Sequence, residues 1–244
     1  MHGNKRVAVV TGGSRGIGRA VAERLAADGQ AVAIAYAGDD TAAREAVLAI
    51  EKEGGEAFAV RADIADEEAV RALFDTTEHQ HGGVDVVVNA AGIMRLSPLA
   101  ELDLDVLDRI HRTNVRGTFV VNREAARRVR PGGAIINFST TVTRLSLPAY
   151  AAYAASKAAV EAIGPILAKE LRGQDITVNA VAPGPTATEL FLDGKSEEQI
   201  EQTAAQNPMG RLGTPEDIAE VVSSLAGPAR WINGQTVYVN GGAA

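Results

Sequence analysis

The chain of 244 residues contains no cysteine, which excludes disulfides, thiolate zinc sites and a cysteine nucleophile. No apolar run is long enough to cross a bilayer, and the first residues lack the apolar core of a signal peptide. We therefore expect no membrane contact and a location in the cytoplasm. An excess of acidic residues gives a formal net charge of -7, which opposes general attraction to nucleic acid. The four histidines are scattered, and we expect no metal site.

Aromatic residues are also scarce, and two of the four tyrosines fall in the alanine-rich stretch AYAAYAASKAA at 149–159. Helical residues four apart share a face, so Tyr153 lies beside Lys157, while Tyr150 is about two turns from that lysine, roughly 10 Å along the axis. An ammonium within about 4–6 Å can lower a phenol pKa from about 10 by roughly 1–3 units, which suits proton exchange near neutral pH. We assign chemistry to Tyr153 and substrate-pocket packing to Tyr150. The alternative is that a tyrosine and a lysine lie four residues apart on an alanine-rich helix by chance.

Short apolar runs rich in β-branched residues alternate with longer amphipathic stretches. This alternation predicts an α/β fold, a single Rossmann-like domain over residues 1–244 in which a doubly wound parallel sheet lies between two helix layers (α/β/α). Residues 184–214 break the pattern, with one short helical segment near 196–205, as is typical of a substrate-binding loop. The predicted strands are RVAVVTG, AVAIAYA, EAFAVRA, VDVVVNAAG, GGAIINFST, DITVNAVAPG and QTVYVNGG, and the predicted helices lie at about 17–28, 41–53, 66–80, 103–129, 150–171 and 215–226.

The first predicted strand runs directly into a glycine-rich turn, TGGSRGIG at 11–18. Gly12, Gly16 and Gly18 permit a tight turn and a close approach of the backbone to a ligand. The helix that follows offers unpaired N–H groups and a partial positive charge to a pyrophosphate. A turn used only for packing is the alternative, but its place after the first strand favours a dinucleotide.

The end of the second predicted strand indicates which dinucleotide binds. A carboxylate there would hold a ribose diol and repel a 2′-phosphate, but Tyr36 and the two residues after it are not acidic. Ser14 and Arg15 in the glycine turn can hydrogen-bond and neutralise a phosphate. The sequence therefore favours NADP(H), with NAD(H) left possible because Asp39 and Asp40 could turn inward.

Five features occur in order along the chain: the glycine turn, NAAG at 89–92, Asn114, the pair Tyr153 and Lys157, and PGPTAT at 183–188. With this combination the chain resembles the classical short-chain dehydrogenase/reductases over essentially its full length, and in particular 3-oxoacyl-carrier-protein reductase-like members and small carbonyl reductases. The resemblance implies an NADPH-dependent oxidoreductase that reversibly reduces a ketone or aldehyde to an alcohol. It also implies a homotetramer formed through the helices near 103–129 and 150–171.

Roles for individual residues follow from the resemblance. Tyr153 would be the general acid, Lys157 would bind the nicotinamide ribose and lower the tyrosine pKa, and Asn114 would hold a water in the proton relay. The family's usual serine, thirteen residues before the tyrosine, is here Thr140, which keeps the hydroxyl donor. Ser139 is the reserve if the strand ends in a bulge.

The remaining implied residues bind the cofactor. They are Gly12, Ser14, Arg15, Gly16, Ile17, Gly18 and Tyr36 around the phosphates, Asp63 and Ile64 beside the adenine, Asn89 and Gly92 along the groove, and Pro183, Gly184, Thr186 and Thr188 toward the carboxamide and pyrophosphate.

Two hypotheses of other classes stay open. A catalytically silent NADP(H)-binding regulatory protein is favoured by the change to Thr140 and opposed by the intact Tyr153, Lys157 and Asn114. An S-adenosylmethionine methyltransferase would also use a glycine turn, but it generally requires an acidic residue after the second strand, which Tyr36 and its neighbours do not supply.

Overall fold

Within residues 5–244, the part of the chain that this computed structural model describes, seven parallel strands form one sheet in the order β3-β2-β1-β4-β5-β6-β7. The predicted domain of 1–244 includes residues 1–4, which lie outside the described residues. The five inner strands are largely buried, as expected for a parallel sheet covered on both faces, and the two edge strands, β3 and β7, are half-buried. The strands are β1 Val7–Thr11, β2 Ala31–Tyr36, β3 Glu56–Arg61, β4 Val84–Asn89, β5 Val129–Phe138, β6 Thr177–Pro183 and β7 Thr236–Val239.

Helices cover both faces of this sheet. Successive side chains of β1 point to opposite faces, so Ala8 and Val10 pack with α1, α2 and α10, while Val9 packs with α3, α5 and α7. The predicted three-layer, doubly wound fold is confirmed. The helices are α1 Gly16–Ala27, α2 Asp40–Lys52, α3 Glu67–His81, α4 Leu104–Ile110, α5 Gly117–Arg128, α6 Val142–Leu145, α7 Ala151–Glu170, α8 Glu189–Leu192, α9 Glu197–Gln206 and α10 Pro215–Ala226.

One predicted helix differs from the structure. The stretch 103–129 is divided into α4 and α5 by a π-helical turn, His111–Arg116, and the chain enters β5 at Val129. A π turn inserts one residue without ending the amphipathic pattern, so hydrophobic spacing does not reveal it.

The segment 184–214 contains two helices and is closed at its base. The helix predicted near 196–205 is α9, and the short α8 precedes it. A bridge between Thr186 and Gly213 joins the two ends of the segment. Among the described residues, no helix is both long and apolar enough to span a membrane.

Candidate active site

The carboxyl ends of the strands meet at one edge of the sheet, where β1 lies between β2 and β4. Strand order reverses there, because β2 and β3 extend to one side of β1 and the later strands extend to the other. Open α/β sheets bind their ligands in the crevice at this switch point. The glycine turn follows β1 at that place. Other predicted site residues lie at or just after the ends of β2 to β6, while Asn114 lies in the π-helical turn and Tyr153 and Lys157 lie on α7.

The glycine turn has the close backbone approach that the sequence predicts. Gly12 has φ +65°, and a Cβ there would lie 2.9 Å from Ala91 Cα, while a Cβ on Gly18 would lie 2.2 Å from the Gly12 carbonyl oxygen. Gly16 also has a positive φ, +54°. Arg15, at the N-cap of α1, makes no side-chain capping hydrogen bond. The turn therefore fits a phosphate group held by backbone amides.

The other turn residues have separate surroundings. Ser14 is buried, and Ile17, in the first turn of α1, packs against the core. The Arg15 side chain is 73% exposed, and its guanidinium lies 3.8 Å from a carboxylate oxygen of Glu189 on α8. Arg15 is thus placed over the turn, between β1 and the segment 184–214.

Cations and one carboxylate surround Tyr36 at the end of β2. Burial and a hydrogen bond to Asp40 raise the pKa of Tyr36, and the charges of Arg61 and Arg44 oppose that rise. The Asp39 carboxylate caps α2, accepting hydrogen bonds of 3.1 and 2.9 Å from two first-turn amides. Asp39 and Asp40 are the two aspartates that could turn toward the cofactor. The structure holds Asp39 at the start of α2, and Asp40 faces Tyr36.

The predicted adenine neighbours follow β3. Asp63 accepts hydrogen bonds from the Ala65 amide at 2.9 Å and from Arg112 at 2.7 Å. Burial raises the pKa of Asp63, but these two hydrogen bonds outweigh it and the pKa is lowered overall. Ile64 is buried, and a Cβ on Gly117 would meet its side chain at 2.6 Å. The side chain of Ile64 therefore packs against α5.

Tyr153, Lys157 and Thr140 come together between β5 and α7. All three are less than 10% exposed, and the Thr140 hydroxyl lies near enough to the Tyr153 phenol to lower its pKa. Lys157 Nζ donates a hydrogen bond of 2.8 Å to the Phe138 carbonyl and lies 5.9 Å from the centre of the Tyr153 ring. Tyr150 is half-buried just before α7 and near enough to Tyr153 to affect its titration. A hydroxyl from the loop after β5 thus lies beside the predicted helical neighbours.

The expected lowering of the tyrosine pKa is not observed. Burial raises the pKa of Tyr153 to about 12, against the opposing effect of the Thr140 hydrogen bond. Burial also lowers the pKa of Lys157 to about 8. Desolvation of both side chains outweighs the charge effect that the four-residue spacing suggests.

Asn114 lies in the π-helical turn and is 1% exposed. Its amide holds the backbone of Ile93 from both sides, accepting from the Ile93 N–H at 2.9 Å and donating to the Ile93 carbonyl at 2.9 Å. The same amide donates to Ser156 Oγ at 3.0 Å. Asn114 therefore fastens the loop after β4 to α7 next to Tyr153.

Asn89 is buried in a polar network at the end of β4. Its side chain accepts from the Thr11 hydroxyl at 2.8 Å and donates to the Thr118 hydroxyl at 3.0 Å. Both contacts tie neighbouring elements together at the carboxyl edge of the sheet. Gly92 lies against the site: a Cβ there would be 3.2 Å from Asn114 Oδ1 and 3.4 Å from Lys157 Nζ.

The segment after β6 approaches the glycine turn. Pro183 accepts a backbone hydrogen bond from Thr141, and Gly184 packs so closely that a Cβ would lie 2.8 Å from Asn240. The buried Thr186 hydroxyl donates to the Gly184 carbonyl at 2.9 Å. The Thr188 methyl group lies 3.6 Å from the position of a Cβ on Gly16. The residues PGPTAT thus connect the loop after β5, through Thr141, to the glycine turn, through Gly16.

Comparisons with known proteins agree with this geometry. A family model described as enoyl-(acyl carrier protein) reductase matches residues 12–244. The chain is 46% identical over 248 residues to a short-chain type dehydrogenase/reductase of Picea abies, and the match covers 97% of this chain and 92% of the relative. The chain belongs to the short-chain dehydrogenase/reductase family. The family predicted from the sequence is confirmed, and with it the assignment as an oxidoreductase.

Two further members of the short-chain dehydrogenase/reductase family carry names that include a nucleotide. NADPH-dependent aldehyde reductase 2, chloroplastic, of Arabidopsis thaliana is 43% identical over 253 residues, covering 97% of this chain and 93% of the relative. The crystal structure of a short-chain dehydrogenase from Burkholderia cenocepacia in complex with NADP superposes with a TM-score of 0.91 at 40% identity, covering 98% of each chain.

Sequence reasoning missed three site neighbours of this short-chain dehydrogenase/reductase. Ser156 was passed over although it directly precedes Lys157, and Glu161 lies four residues beyond that lysine on the same helix face. The helical spacing that identified Tyr153 could have found both. Arg112 gave no signal, because its partner Asp63 lies 49 residues away along the chain.

Proposed function

We propose that this member of the family is an NADPH-dependent reductase of ketones or aldehydes, with Tyr153 as the proton donor. The observation that carries the proposal is the buried contact between the Thr140 hydroxyl and the Tyr153 phenol, with Lys157 one helical turn away. This group lies at the carboxyl edge of the sheet beside the glycine turn, where a dinucleotide fits.

Each side chain has a role that its surroundings support. NADPH, when bound, supplies a hydride to the carbonyl carbon. Tyr153 gives its phenolic proton to the carbonyl oxygen as the C=O π bond breaks, and a pKa of about 12 keeps the phenol protonated at neutral pH. The Thr140 hydroxyl donates to the same oxygen while negative charge develops on it. Lys157 would hold the nicotinamide ribose, and Asn114 keeps the predicted relay role.

The choice of NADP(H) rests on charge at the phosphate end of the site. Arg15 is an exposed cation in the glycine turn, and Arg61 donates a hydrogen bond of 3.1 Å to the Ala37 carbonyl just after β2, where Tyr36 stands in place of a carboxylate. The relatives whose names state a nucleotide, an NADPH-dependent aldehyde reductase and a dehydrogenase in complex with NADP, support the same choice. Asp40 beside Tyr36 and Glu189 beside Arg15 are acidic side chains that could weaken the preference.

Turnover measurements test the proposal. The protein is supplied with NADPH and a panel of aldehydes, ketones, quinones and acyl thioesters, and NADPH consumption is followed. We expect Tyr153→Phe to abolish turnover while the dissociation constant for NADPH stays within a few-fold, and the matched variant Tyr150→Phe to remain active. Normal turnover by Tyr153→Phe would show that the catalytic assignment is wrong. NADPH binding without turnover of any panel member would favour the silent regulatory protein instead.

A homotetramer and a location in the cytoplasm stay predictions of the sequence. Phe119 on α5 is 56% exposed and Ile166 on α7 is 59% exposed, so each helix assigned to the interface presents a large apolar side chain. Analytical ultracentrifugation of Phe119→Asp and Ile166→Asp beside the parent protein would test whether these side chains hold an assembly together.

A further inference from the structure

A third side chain continues the catalytic face of α7. Tyr153, Lys157 and Glu161 follow one another at intervals of four residues, so they share one side of the helix. Tyr153 and Lys157 reach the end of β5 from this side. Glu161 reaches the same strand end one turn further along, and no role has yet been given to it.

The Glu161 carboxylate lies within hydrogen-bond distance of two hydroxyl groups, one on either side of Thr140 along the chain. Ser139 Oγ donates to Glu161 Oε1 at 2.5 Å, and Thr143 Oγ1 lies 3.0 Å from the same oxygen. The Thr143 hydroxyl also lies 2.9 Å from the Thr140 carbonyl, so it connects the carboxylate to the backbone of Thr140 itself. Ser139 is 3% exposed, which makes this a buried contact between a hydroxyl and a carboxylate.

The backbone on either side of Thr140 is fixed independently by β6. The Ser139 N–H donates to the Val181 carbonyl at 2.7 Å, and the Thr141 N–H donates to the Pro183 carbonyl at 2.9 Å. These two hydrogen bonds continue the pairing of β5 with β6 beyond Phe138, so the adjacent side chains of Ser139 and Thr140 point to opposite sides. The remaining question at this strand end is which of two adjacent hydroxyls faces Tyr153.

We infer that Glu161 is a positioning residue for the Thr140 hydroxyl. By accepting the hydrogen bond of Ser139, it leaves the Thr140 hydroxyl as the one that faces Tyr153. A hydroxyl has one proton to donate, and Ser139 donates it to the carboxylate. The Thr140 hydroxyl then remains free to donate its proton beside Tyr153. The Thr143 hydroxyl contacts the Thr140 carbonyl and helps to hold the backbone there. The inference rests on the proposed function, because it takes Thr140 to be the donor to the substrate oxygen.

Two variants of Glu161 and a control test the inference through kcat with a carbonyl substrate and KM for NADPH. Glu161→Leu removes the acceptor, and we expect kcat to fall ten-fold or more while KM for NADPH stays within about two-fold. Glu161→Gln keeps an oxygen that can accept both hydroxyls, and we expect kcat within about three-fold of the parent. Glu170→Leu, the same change at an exposed position of α7, is the control for helix effects and should match the parent.

A double-mutant cycle separates positioning from general damage. If Glu161 acts through the Thr140 hydroxyl, then Glu161→Leu should lower kcat no further in a Thr140→Val background. Additive losses in the cycle, or a parent-like kcat for Glu161→Leu, would overturn the inference. Should Glu161→Leu fail to fold, Ser139→Ala combined with Thr143→Val removes the two donors from the other side. The same loss of kcat is expected for it, and full activity refutes the role of Glu161.

The cycle also distinguishes failure of the inference from failure of the proposed function. A Thr140→Val enzyme with normal kcat means that Thr140 is not the donor, and the inference falls together with that part of the mechanism. If kcat is strongly reduced in Thr140→Val but normal in Glu161→Leu, Thr140 remains the donor and only the role of Glu161 is refuted.

Discussion

Replacing Lys157 by methionine should change how stability depends on pH. Burial lowers the pKa of this lysine in the fold to about 8 from an ordinary value of 10.5. Between these two values the unfolded chain holds a proton that the folded protein has released, so unfolding takes up a proton and the free energy of unfolding rises with pH. Below pH 8 the buried ammonium opposes folding in full, and above pH 10.5 that cost is absent.

The size of the effect follows from the difference between those pKa values. Each pKa unit corresponds to about 1.4 kcal/mol, so the parent protein should gain about 3 kcal/mol between pH 8 and pH 10.5 relative to Lys157→Met, which cannot titrate there. Tyr153 acts in the other direction at higher pH. Burial raises its pKa to about 12, so the folded state keeps a proton that an unfolded tyrosine releases above about pH 10, and stability falls there.

Reversible urea unfolding at fixed protein concentration, without cofactor, measures the effect. The free energy of unfolding is determined from pH 7.5 to 9.5, below the range in which Tyr153 contributes. Lys169→Met, at an exposed position on the same helix, is the control and should follow the parent at each pH. If the parent and Lys157→Met curves stay parallel over this range, the lysine is not desolvated in the fold and the argument from burial is wrong.

The remaining predictions concern the glycine turn. NADPH should bind at least ten-fold more tightly than NADH, a difference of about 1.4 kcal/mol, and Arg15→Ala should remove most of it while Arg19→Ala, one turn further along α1, should not. Fluorescence titration measures the dissociation constants of both nucleotides, and an unchanged preference for NADPH in Arg15→Ala would refute the cofactor assignment. Gly18→Ala should destabilise the fold by about 1–3 kcal/mol or more, because its Cβ would lie 2.2 Å from the Gly12 carbonyl. Gly164→Ala, whose Cβ meets no atom within 4 Å, should be neutral or stabilising by up to about 1 kcal/mol in denaturant unfolding.

The sequence alone determined the features that depend on local spacing. The β-branched runs predicted strands such as Val7–Thr11, and their alternation with amphipathic stretches predicted the doubly wound sheet. The glycine turn was recognisable because the positive φ at Gly12 favours glycine and the close contact at Gly18 leaves no room for a Cβ. Tyr153 was separated from Tyr150 because helical geometry fixes which of them lies beside Lys157.

The tertiary structure decided what depends on residues far apart in the chain. Ser139 and Glu161 are 22 residues apart, and only the packing of α7 against β5 shows that the serine hydroxyl is engaged and the threonine hydroxyl faces Tyr153. The pKa of Tyr153 likewise moved in the opposite direction from the expectation based on Lys157. A four-residue spacing gives the distance between two charges, but desolvation is the sum over every element that covers them, and only the folded chain supplies that sum.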